Sequence, residues 1–460
     1  MSHSPSLGPS PATGIPPDGT DRADGADGAD HTDPADLPHR TDSGDGPQIL
    51  AVGALAVDVI CDCAAAPTLH TSNPARIDEA LGGVAANVAY AAQLAGVRAR
   101  LVTVVGRDVA GRWACEQLRQ RGMDLLGVRM ASDATTARYI CVNDARGRLL
   151  VAGADMAAIE AFAPDAVAFA LDRADLPALR CVVVDANLRP ETIATVIAHC
   201  RRHTIPGPPL LFLFLPLPLH PRALIEPVVY EPTSVAKSAR LFAPQPAHEL
   251  AKSGGGVWAA APNKQELGAM FTAASAEGLL STDQPHWWRT VDALGIDAAF
   301  RDQLSALARS AGVEDLVADG TVQQAIQLLP YIPNLFVKLG PGGCLVARLL
   351  EPGHGDLQQH AASCRDGLVV RRARDSPATG TGTTVGGVYI RHFPAAPLPT
   401  THGDAIVGVN GAGDTFLGVL VAEMMVRGHG LEPSVELAQR AAVLTLGCRD
   451  AVSERVSLLF

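Results

Sequence analysis

Aromatic residues and paired cysteines are both scarce in this 460-residue sequence. Aromatics make up only 4% of it while 47% is hydrophobic, so a large core must be built mainly from Ala, Val and Leu. The nine cysteines are scattered without a CxxC pair, and Cys61 and Cys63 stand too close for ordinary zinc-knuckle spacing. We therefore expect free thiols in a reducing compartment rather than a disulfide framework or a structural zinc.

Long apolar runs and an excess of basic residues are also missing. The longest apolar run, residues 210–219, is broken by Pro216 and Pro218, and a membrane span needs roughly 20 apolar residues. The N-terminus has no basic-then-apolar signal pattern. A net charge of −11 argues against nucleic acid as a main partner. We expect a soluble, cytoplasmic protein with neither a membrane nor a nucleic-acid partner.

The negative charge is concentrated in the first 47 residues. They contain nine Asp and two Arg, a net charge of −7, which leaves −4 for the remainder. Pro, Gly, Ser, Asp and Ala dominate this stretch, so it offers too little apolar surface to offset chain entropy. We expect a disordered acidic tail at 1–47, of unknown role, and a folded domain at 48–460.

Strand-like apolar runs alternate with helix-like segments through most of the remaining chain. The expected strands include 49–55, 100–105, 181–185, 210–215, 228–231, 257–261, 334–339 and 344–349, and the expected helices 84–95, 109–121, 190–201, 263–272, 412–426 and 433–446. This order predicts an α/β fold with a mostly parallel sheet covered on both faces, whose ligands bind at the carboxyl ends of the strands. Residues 137–152 instead read as a hairpin, and 274–300 and 351–403 as surface insertions.

The most informative motif is the octet at 409–416, which opens the predicted helix at 412–426. The small residues Gly411, Ala412 and Gly413 let backbone N–H groups converge at a helix N-terminus, where negative charge is favoured. Asp414 then places a carboxylate beside that anion site. An anion cradle next to a general base is what phosphoryl transfer from a nucleotide to a hydroxyl requires. A plain Gly-rich capping turn predicts the same letters.

A second group lies near the start of the domain. Asp58 follows the first strand, and Gly82, Gly83 and Asn87 open the next helix. The glycines let a small polyhydroxylated ligand approach the backbone, while the carboxylate and carboxamide bind its hydroxyls. The alternative is a glycine turn with an Asn at a helix start.

Two further motifs occupy the middle of the chain. Asn263 and Glu266 lie on one face of a helix's first turn, where oxygen ligands could orient Mg²⁺-bound water, although a capping box predicts the same pair. Lys338 and Gly340 begin a glycine turn between two strands, which could cover a nucleotide or be a simple hairpin turn.

Taken together, these residues resemble the ribokinase-like, or PfkB, carbohydrate kinase family. The stretch 410–414 is similar to the C-terminal signature of the family, Gly82, Gly83 and Asn87 to its N-terminal one, and 263–266 to its N-x-x-E motif. Within the family, the segments 71–74, 153–156, 184–188, 231–235, 261–264 and 451–453 are similar to pseudouridine kinases. The resemblance runs from about 49 to 453.

The resemblance implies a three-layer α/β/α sandwich with a small β lid, assigned to parts of 57–77 and 137–152. It implies ATP as phosphoryl donor, Mg²⁺ as cofactor and the 5′-hydroxyl of pseudouridine as acceptor. Asp414 would be the base, assisted by the amides of 411–413. The other implied roles are acceptor binding by Asp58, Gly82, Gly83 and Asn87, nucleotide binding by Asn187, Glu231, Lys338 and Gly340, and metal binding by Asn263 and Glu266.

Two departures leave alternatives open. Ala86 stands where pseudouridine kinases usually carry Arg, and Lys338 where Thr or Ser is common. A kinase of another sugar or nucleoside, such as ribose or adenosine, is therefore the alternative enzyme, and a catalytically inactive binding protein on the same fold is the alternative class. Activation by a monovalent cation and a homodimeric state are both compatible with the sequence.

Overall fold

The structure is a computed structural model that describes residues 48–146, 148–174, 178–202, 228–252, 256–359, 368–374, 385–398 and 406–460. The expected disordered tail and the expected strand at 210–215 lie outside these ranges. No helix in the described part of the chain is both long and apolar enough to cross a bilayer.

The described strands form two separate sheets. In chain order they are β1 (Ile49–Val52), β2 (Ala56–Cys63), β3 (Ala75–Gly82), β4 (Ala99–Gly106), β5 (Val128–Ala131), β6 (Arg138–Asn143), β7 (Leu149–Asp155), β8 (Cys181–Asp185), β9 (Val228–Glu231), β10 (Ala259–Ala260), β11 (Asn334–Lys338), β12 (Cys344–Leu350), β13 (Leu368–Arg372) and β14 (Gly387–Phe393). The large sheet has the order β13-β14-β12-β11-β10-β9-β8-β1-β4-β5, and the small one β3-β2-β6-β7.

Parallel pairing dominates the large sheet. The seven strands from β11 to β5 in that order run in one direction, while β12 pairs antiparallel with both β11 and β14, and β13 pairs antiparallel with β14. The carboxyl ends of β1, β8, β9 and β11 therefore meet at one edge. The small sheet joins that edge directly, because β2 begins four residues after β1 ends.

Helices cover both faces of the large sheet. They are α1 (Val84–Leu94), α2 (Val109–Gln120), α3 (Ala157–Glu160), α4 (Pro164–Asp172), α5 (Pro190–Arg202), α6 (Val235–Ser238), α7 (Pro244–Ala251), α8 (Lys264–Ala276), α9 (Pro285–Leu294), α10 (Ala298–Ala311), α11 (Asp315–Ala318), α12 (Thr321–Leu328), α13 (Gly355–Gln359), α14 (Ala412–Val421) and α15 (Leu431–Leu446). A π-helical turn, Ala422–Val426, extends α14.

Strand β1 shows how the sequence produces these layers. All four of its residues are apolar and buried, as expected for a strand covered on both faces. Leu50 and Val52 join the core that contains α5, α8 and α12. Ile49 and Ala51 point the other way and join the core that contains α1, α14 and α15. The predicted three-layer α/β/α fold with a mostly parallel sheet and a small second sheet is confirmed.

Both segments expected as insertions contain regular structure. The segment 274–300 carries α9, where Trp287 is buried and its indole N–H donates to the carbonyl of Gln327 at 2.9 Å. The segment 351–403 carries β14, whose Val388 and Ile390 are fully buried in the large sheet. These residues are buried in the core, although the turn-rich sequence around them predicted surface loops.

Helix α14 packs directly on α1 through a glycine. A Cβ atom added at Gly418 would lie 2.5 Å from the carbonyl oxygen of Val88 and 2.7 Å from the Cβ atom of Ala91. The close approach fixes the start of α14 relative to the start of α1, and both helix starts carry predicted site residues.

We expect Gly418→Ala to lower the free energy of unfolding by about 1–3 kcal/mol, the usual cost of overpacking a tight core contact. Denaturant unfolding measures this change. The matched control is Gly268→Ala in α8, where an added Cβ would lie 3.7 Å from its nearest neighbour atom, Oε1 of Gln324. Because Ala is the better helix former, that variant should be as stable as the parent or more so. Equal stability of the two variants would contradict the contact described here.

Candidate active site

The N-terminus of α14 is an uncapped helix start. Gly411 precedes it with φ +72°, and an added Cβ would lie 1.8 Å from the carbonyl oxygen of Ala451, so the position requires glycine. The first helical bond runs from the N–H of Thr415 to the carbonyl of Gly411 at 2.8 Å. The backbone N–H groups of residues 412–414 therefore lie before the first hydrogen bond of the helix. Such amides and the helix dipole favour an anion.

Asp414 lies in this first turn. Its carboxylate accepts a hydrogen bond of 2.8 Å from Nδ2 of Asn87, which joins the two signature motifs across 327 residues. Burial raises the pKa of Asp414 to about 6, although the bond from Asn87 and the ammonium of Lys338 both lower it. A base whose pKa lies just below neutrality is mostly ionised at pH 7 and can still accept a proton.

Asp58 lies opposite, on strand β2 of the small sheet. Burial and the nearby charge of Asp414 raise the pKa of Asp58 to about 7. Its carboxylate lies over Gly82, where an added Cβ would be 2.3 Å from Oδ2. At Gly83 an added Cβ would lie 2.5 Å from the carbonyl oxygen of Ala54. The backbone contact and a φ of +98° require glycine at Gly83, whereas at Gly82 the neighbouring atoms are the end of the Asp58 side chain.

Asp185 is a site residue that the sequence analysis did not single out. It ends β8, is fully buried, and accepts backbone N–H groups of Ala54 (2.8 Å), Ala85 (3.0 Å) and Asn187 (2.9 Å). Burial raises its pKa despite these bonds. The carboxylate thereby ties the turn after β1 to the start of α1. A carboxylate that ends an otherwise apolar strand was the available sequence signal.

Lys338 and Glu231 form a buried ion pair at the ends of β11 and β9. The ammonium lies 3.0 and 3.1 Å from the two carboxylate oxygens. Burial raises the pKa of Glu231 to about 8 against the opposing effect of Lys338, and Asp414 and Glu266 raise it further. Burial acts to lower the pKa of Lys338, but those same carboxylates raise it overall. The pKa values of Glu231 and Lys338 are both raised because carboxylates outnumber cations around the pair.

Asn263 and Glu266 form the complete capping box that the sequence analysis gave as an alternative. Oδ1 of Asn263 accepts the N–H of Glu266 at 2.9 Å, and Oε2 of Glu266 accepts the N–H of Asn263 at 2.8 Å. Within the described ranges no cluster of three or more His, Cys, Asp or Glu could hold a metal by itself. Mg²⁺, however, often takes only one or two protein carboxylates together with phosphates. The Oε1 atom of Glu266 lies outside the cap, so the pair is compatible with that mode.

The structure brings most of the predicted site residues to one edge but leaves Gly340 exposed. We define the carboxylate cluster as Asp58, Asp185, Glu231, Glu266 and Asp414. The charges of Glu231, Glu266 and Asp414 act on Lys338, and Asp414 is in turn acted on by Asp185 and acts on Asp58. Asn187 lies beside the cluster: its side chain hydrogen-bonds Asp185, and its Oδ1 accepts Nζ of Lys237 at 2.8 Å. Gly340 is exposed at the start of a short turn, with φ +57° and open space where a Cβ would be.

A comparison with known protein families gives a match over the N-terminal part of the chain. Residues 47–211 match the family model described as pfkB family carbohydrate kinase. The resemblance expected from the motifs is thereby confirmed.

The relatives include two proteins named for pseudouridine. The chain is 26% identical over 415 residues to a pseudouridine-metabolizing bifunctional protein of Schizosaccharomyces pombe, covering 90% of this chain and 47% of that protein. The chain thus spans about half the length of that relative. It is 24% identical over 407 residues to a pseudouridine kinase of Arabidopsis thaliana, covering 87% of this chain and 89% of that one.

A solved structure supports the fold independently. The Arabidopsis thaliana ribokinase complexed with ribose and ATP matches with a TM-score of 0.54 at 14% identity, covering 90% of this chain and 98% of that one. At this identity the match shows a shared ribokinase-like fold.

The raised pKa of Asp414 predicts a pH-dependent stability. Between about pH 4 and 6 the folded state keeps a proton that the unfolded chain releases, so this group costs stability as pH rises through that window. We expect Asp414→Asn to raise the free energy of unfolding at pH 7.5 by on the order of 1 kcal/mol, and to leave it unchanged near pH 4. Urea unfolding at the two pH values measures this.

Asp297→Asn is a control for which the free energy of unfolding should change in the opposite direction. Hydrogen bonds and charge from Arg371 hold the pKa of Asp297 below its usual range, so this variant should lose stability at pH 7.5. A destabilised Asp414→Asn protein at pH 7.5 would contradict the description of the cluster.

Proposed function

We propose that the chain is an ATP-dependent kinase that transfers a phosphoryl group to the 5′-hydroxyl of a nucleoside, pseudouridine above all. The observation that carries the proposal is the position of Asp414. A carboxylate with a raised pKa lies in the first turn of an uncapped helix, next to Asn87 and Lys338. This arrangement supports proton removal beside an anion site.

The acceptor half of the proposed site consists of Asp58, Gly82, Gly83 and Asn87. Asp58 and Asn87 would bind hydroxyls of the sugar, and their fixed separation from Asp414 would orient the 5′-hydroxyl toward the base. Asp414 would remove the hydroxyl proton as the oxygen attacks. The amides of 411–413 would stabilise the charge on the transferred group.

The donor half consists of Glu231, Asn263, Glu266, Lys338 and Gly340. Lys338 places a positive charge close to the helix start, since an added Cβ at Gly413 would lie 3.1 Å from its Nζ. Its ammonium would bind phosphate oxygens of ATP while Glu231 holds it in place. Asn263 and Glu266 would hold Mg²⁺ through bound water, which would supply charge neutralisation at the phosphates.

Support for a nucleoside acceptor comes from the two relatives named for pseudouridine and from the segments similar to pseudouridine kinases. A kinase of ribose or adenosine is the alternative enzyme, since the fold is also that of a ribokinase. An inactive binding protein is disfavoured, because it would not need Asp414, Asn87 and Lys338 together.

ADP release by the purified chain with Mg·ATP separates these possibilities. We expect kcat/KM to be at least tenfold higher for pseudouridine than for uridine, adenosine or ribose. Equal turnover of ribose and pseudouridine would overturn the substrate assignment. The absence of turnover with every acceptor would overturn the kinase assignment itself.

Asp414→Asn tests the proposed base. Removal of a general base lowers rates by roughly 10²- to 10⁴-fold, so kcat should fall by that factor while the Kd for ATP, measured by calorimetry, changes little. Asp165→Asn on the exposed first turn of α4 is the control and should keep parental rates. A near-normal kcat for Asp414→Asn would refute its role as base.

A further inference from the structure

One arginine joins the small sheet to the loop that follows α15. Nη1 of Arg449 donates a hydrogen bond of 2.7 Å to Oδ2 of Asp78 and lies 3.5 Å from Oδ2 of Asp62. Asp62 lies on β2 and Asp78 on β3, which are paired strands of the small sheet. The guanidinium thus bridges two lid strands from a loop that is 371 residues away from Asp78 in the sequence.

The two carboxylates lie on the face of the small sheet that carries Asp58. Asp58 and Asp62 are both on β2, and because side chains of a strand alternate between its two faces, they share one face. Asp78 pairs directly with Ile60, which lies between them on that same face. The charge of Asp414 acts on Asp58, so this face is the one turned toward the start of α14. Arg449 therefore contacts the small sheet on the side of the candidate site.

The loop 447–453, which carries Arg449, is fixed against the start of α14. Ala451 and Val452 are buried. The carbonyl oxygen of Ala451 lies against Gly411, since a Cβ atom added at that glycine would be 1.8 Å from it. Gly411 precedes the uncapped first turn of α14. Arg449 therefore connects a loop that packs on this helix start with the strands that hold Asp58.

Further polar contacts extend this bridge into a network. Nε of Arg76 lies 2.9 Å from Oδ2 of Asp78, and Nδ2 of Asn143 on β6 donates to Oδ1 of Asp62 at 2.9 Å. The side chain of Arg449 is 51% exposed. Single ion pairs at such an exposed position contribute little, whereas several charges in a network contribute more. We therefore expect the bridge to hold the small sheet in place with a modest effect on affinity.

We propose that Arg449 is a positioning residue, which holds the small sheet over the acceptor through Asp62 and Asp78 and so keeps Asp58 where it binds the acceptor's hydroxyls. This inference rests on the proposed function and adds a residue that acts through Asp58 rather than by touching the substrate. The proposed donor residues Glu231 and Lys338 end strands of the large sheet. Binding of ATP should therefore not depend on Arg449.

Amide hydrogen exchange of the full chain without any ligand tests whether Arg449 holds the small sheet. In Arg449→Met we expect the amides of β2 and β3 to exchange roughly two- to fivefold faster than in the parent, because an exposed ion-pair network is lost. The amides of β8 should be unchanged. Arg119→Met is the control, because Arg119 pairs with Glu116 on the exposed face of α2. Unchanged exchange in β2 and β3, or an equal increase in β8, would overturn the role of Arg449.

Acceptor kinetics test the consequence for the proposed reaction. In Arg449→Met we expect the KM for pseudouridine to rise roughly two- to tenfold while the KM for ATP stays at the parental value. Asp78→Asn should also raise the KM for pseudouridine in the parent, but it should add little in the Arg449→Met background, because the two residues act through one contact.

Two results would overturn the positioning role in acceptor binding. One is an unchanged KM for pseudouridine despite faster exchange in β2 and β3, and the other is a fully additive effect of Asp78→Asn and Arg449→Met. If the parent releases no ADP with any acceptor, the kinase assignment fails. The exchange of β2 and β3 then still decides whether Arg449 holds the small sheet.

Discussion

The candidate site depends on one electrostatic constraint: several carboxylates are buried close to one another, and Lys338 is paired with one of them, Glu231. Asp58, Glu231 and Asp414 all have pKa values raised by burial, to about 7, 8 and 6. Lys338 offsets part of this charge but cannot neutralise all of it. The fold therefore maintains a region that is short of positive charge, and such a region is suited to proton transfer and to cations that arrive with a phosphorylated ligand.

The strands and helices of the fold hold these carboxylates close together. Parallel strands bring Asp185, Glu231 and Lys338 to one edge of the sheet, since each residue ends its strand. Asp58 comes from β2 of the small sheet. The close contact of α14 with α1 at Gly418 holds Asp414 within hydrogen-bonding distance of Asn87. Because the uncapped amides of α14 point at the same place, negative charge on a ligand is met by backbone dipoles as well as by Lys338.

Much of the fold could be predicted from local pattern. Cys181–Asp185 and Val228–Glu231 are apolar runs that each end in a carboxylate, and their strand bounds agree with prediction. Strand β14 was not predicted, because its pairing with β12 and β13 joins segments that are distant in sequence and flanked by Gly- and Arg-rich stretches. In the site, the signature motifs located Asp414 and Asn87. Asp185 was missed, because its contacts reach across 131 and 100 residues of the sequence, which a local motif does not encode.

The pH dependence of kcat/KM for the acceptor, measured with saturating Mg·ATP, is the decisive measurement of the role of Asp414. If Asp414 is a base whose pKa is raised by burial within the carboxylate cluster, the rate should rise with pH and reach half its plateau near pH 6. The residual activity of Asp414→Asn should not show this rise with pH. A rate that reaches half its plateau near pH 4, as is typical of an exposed carboxylate, would contradict the role of Asp414 as a buried base. An unchanged rise with pH in Asp414→Asn would contradict it as well.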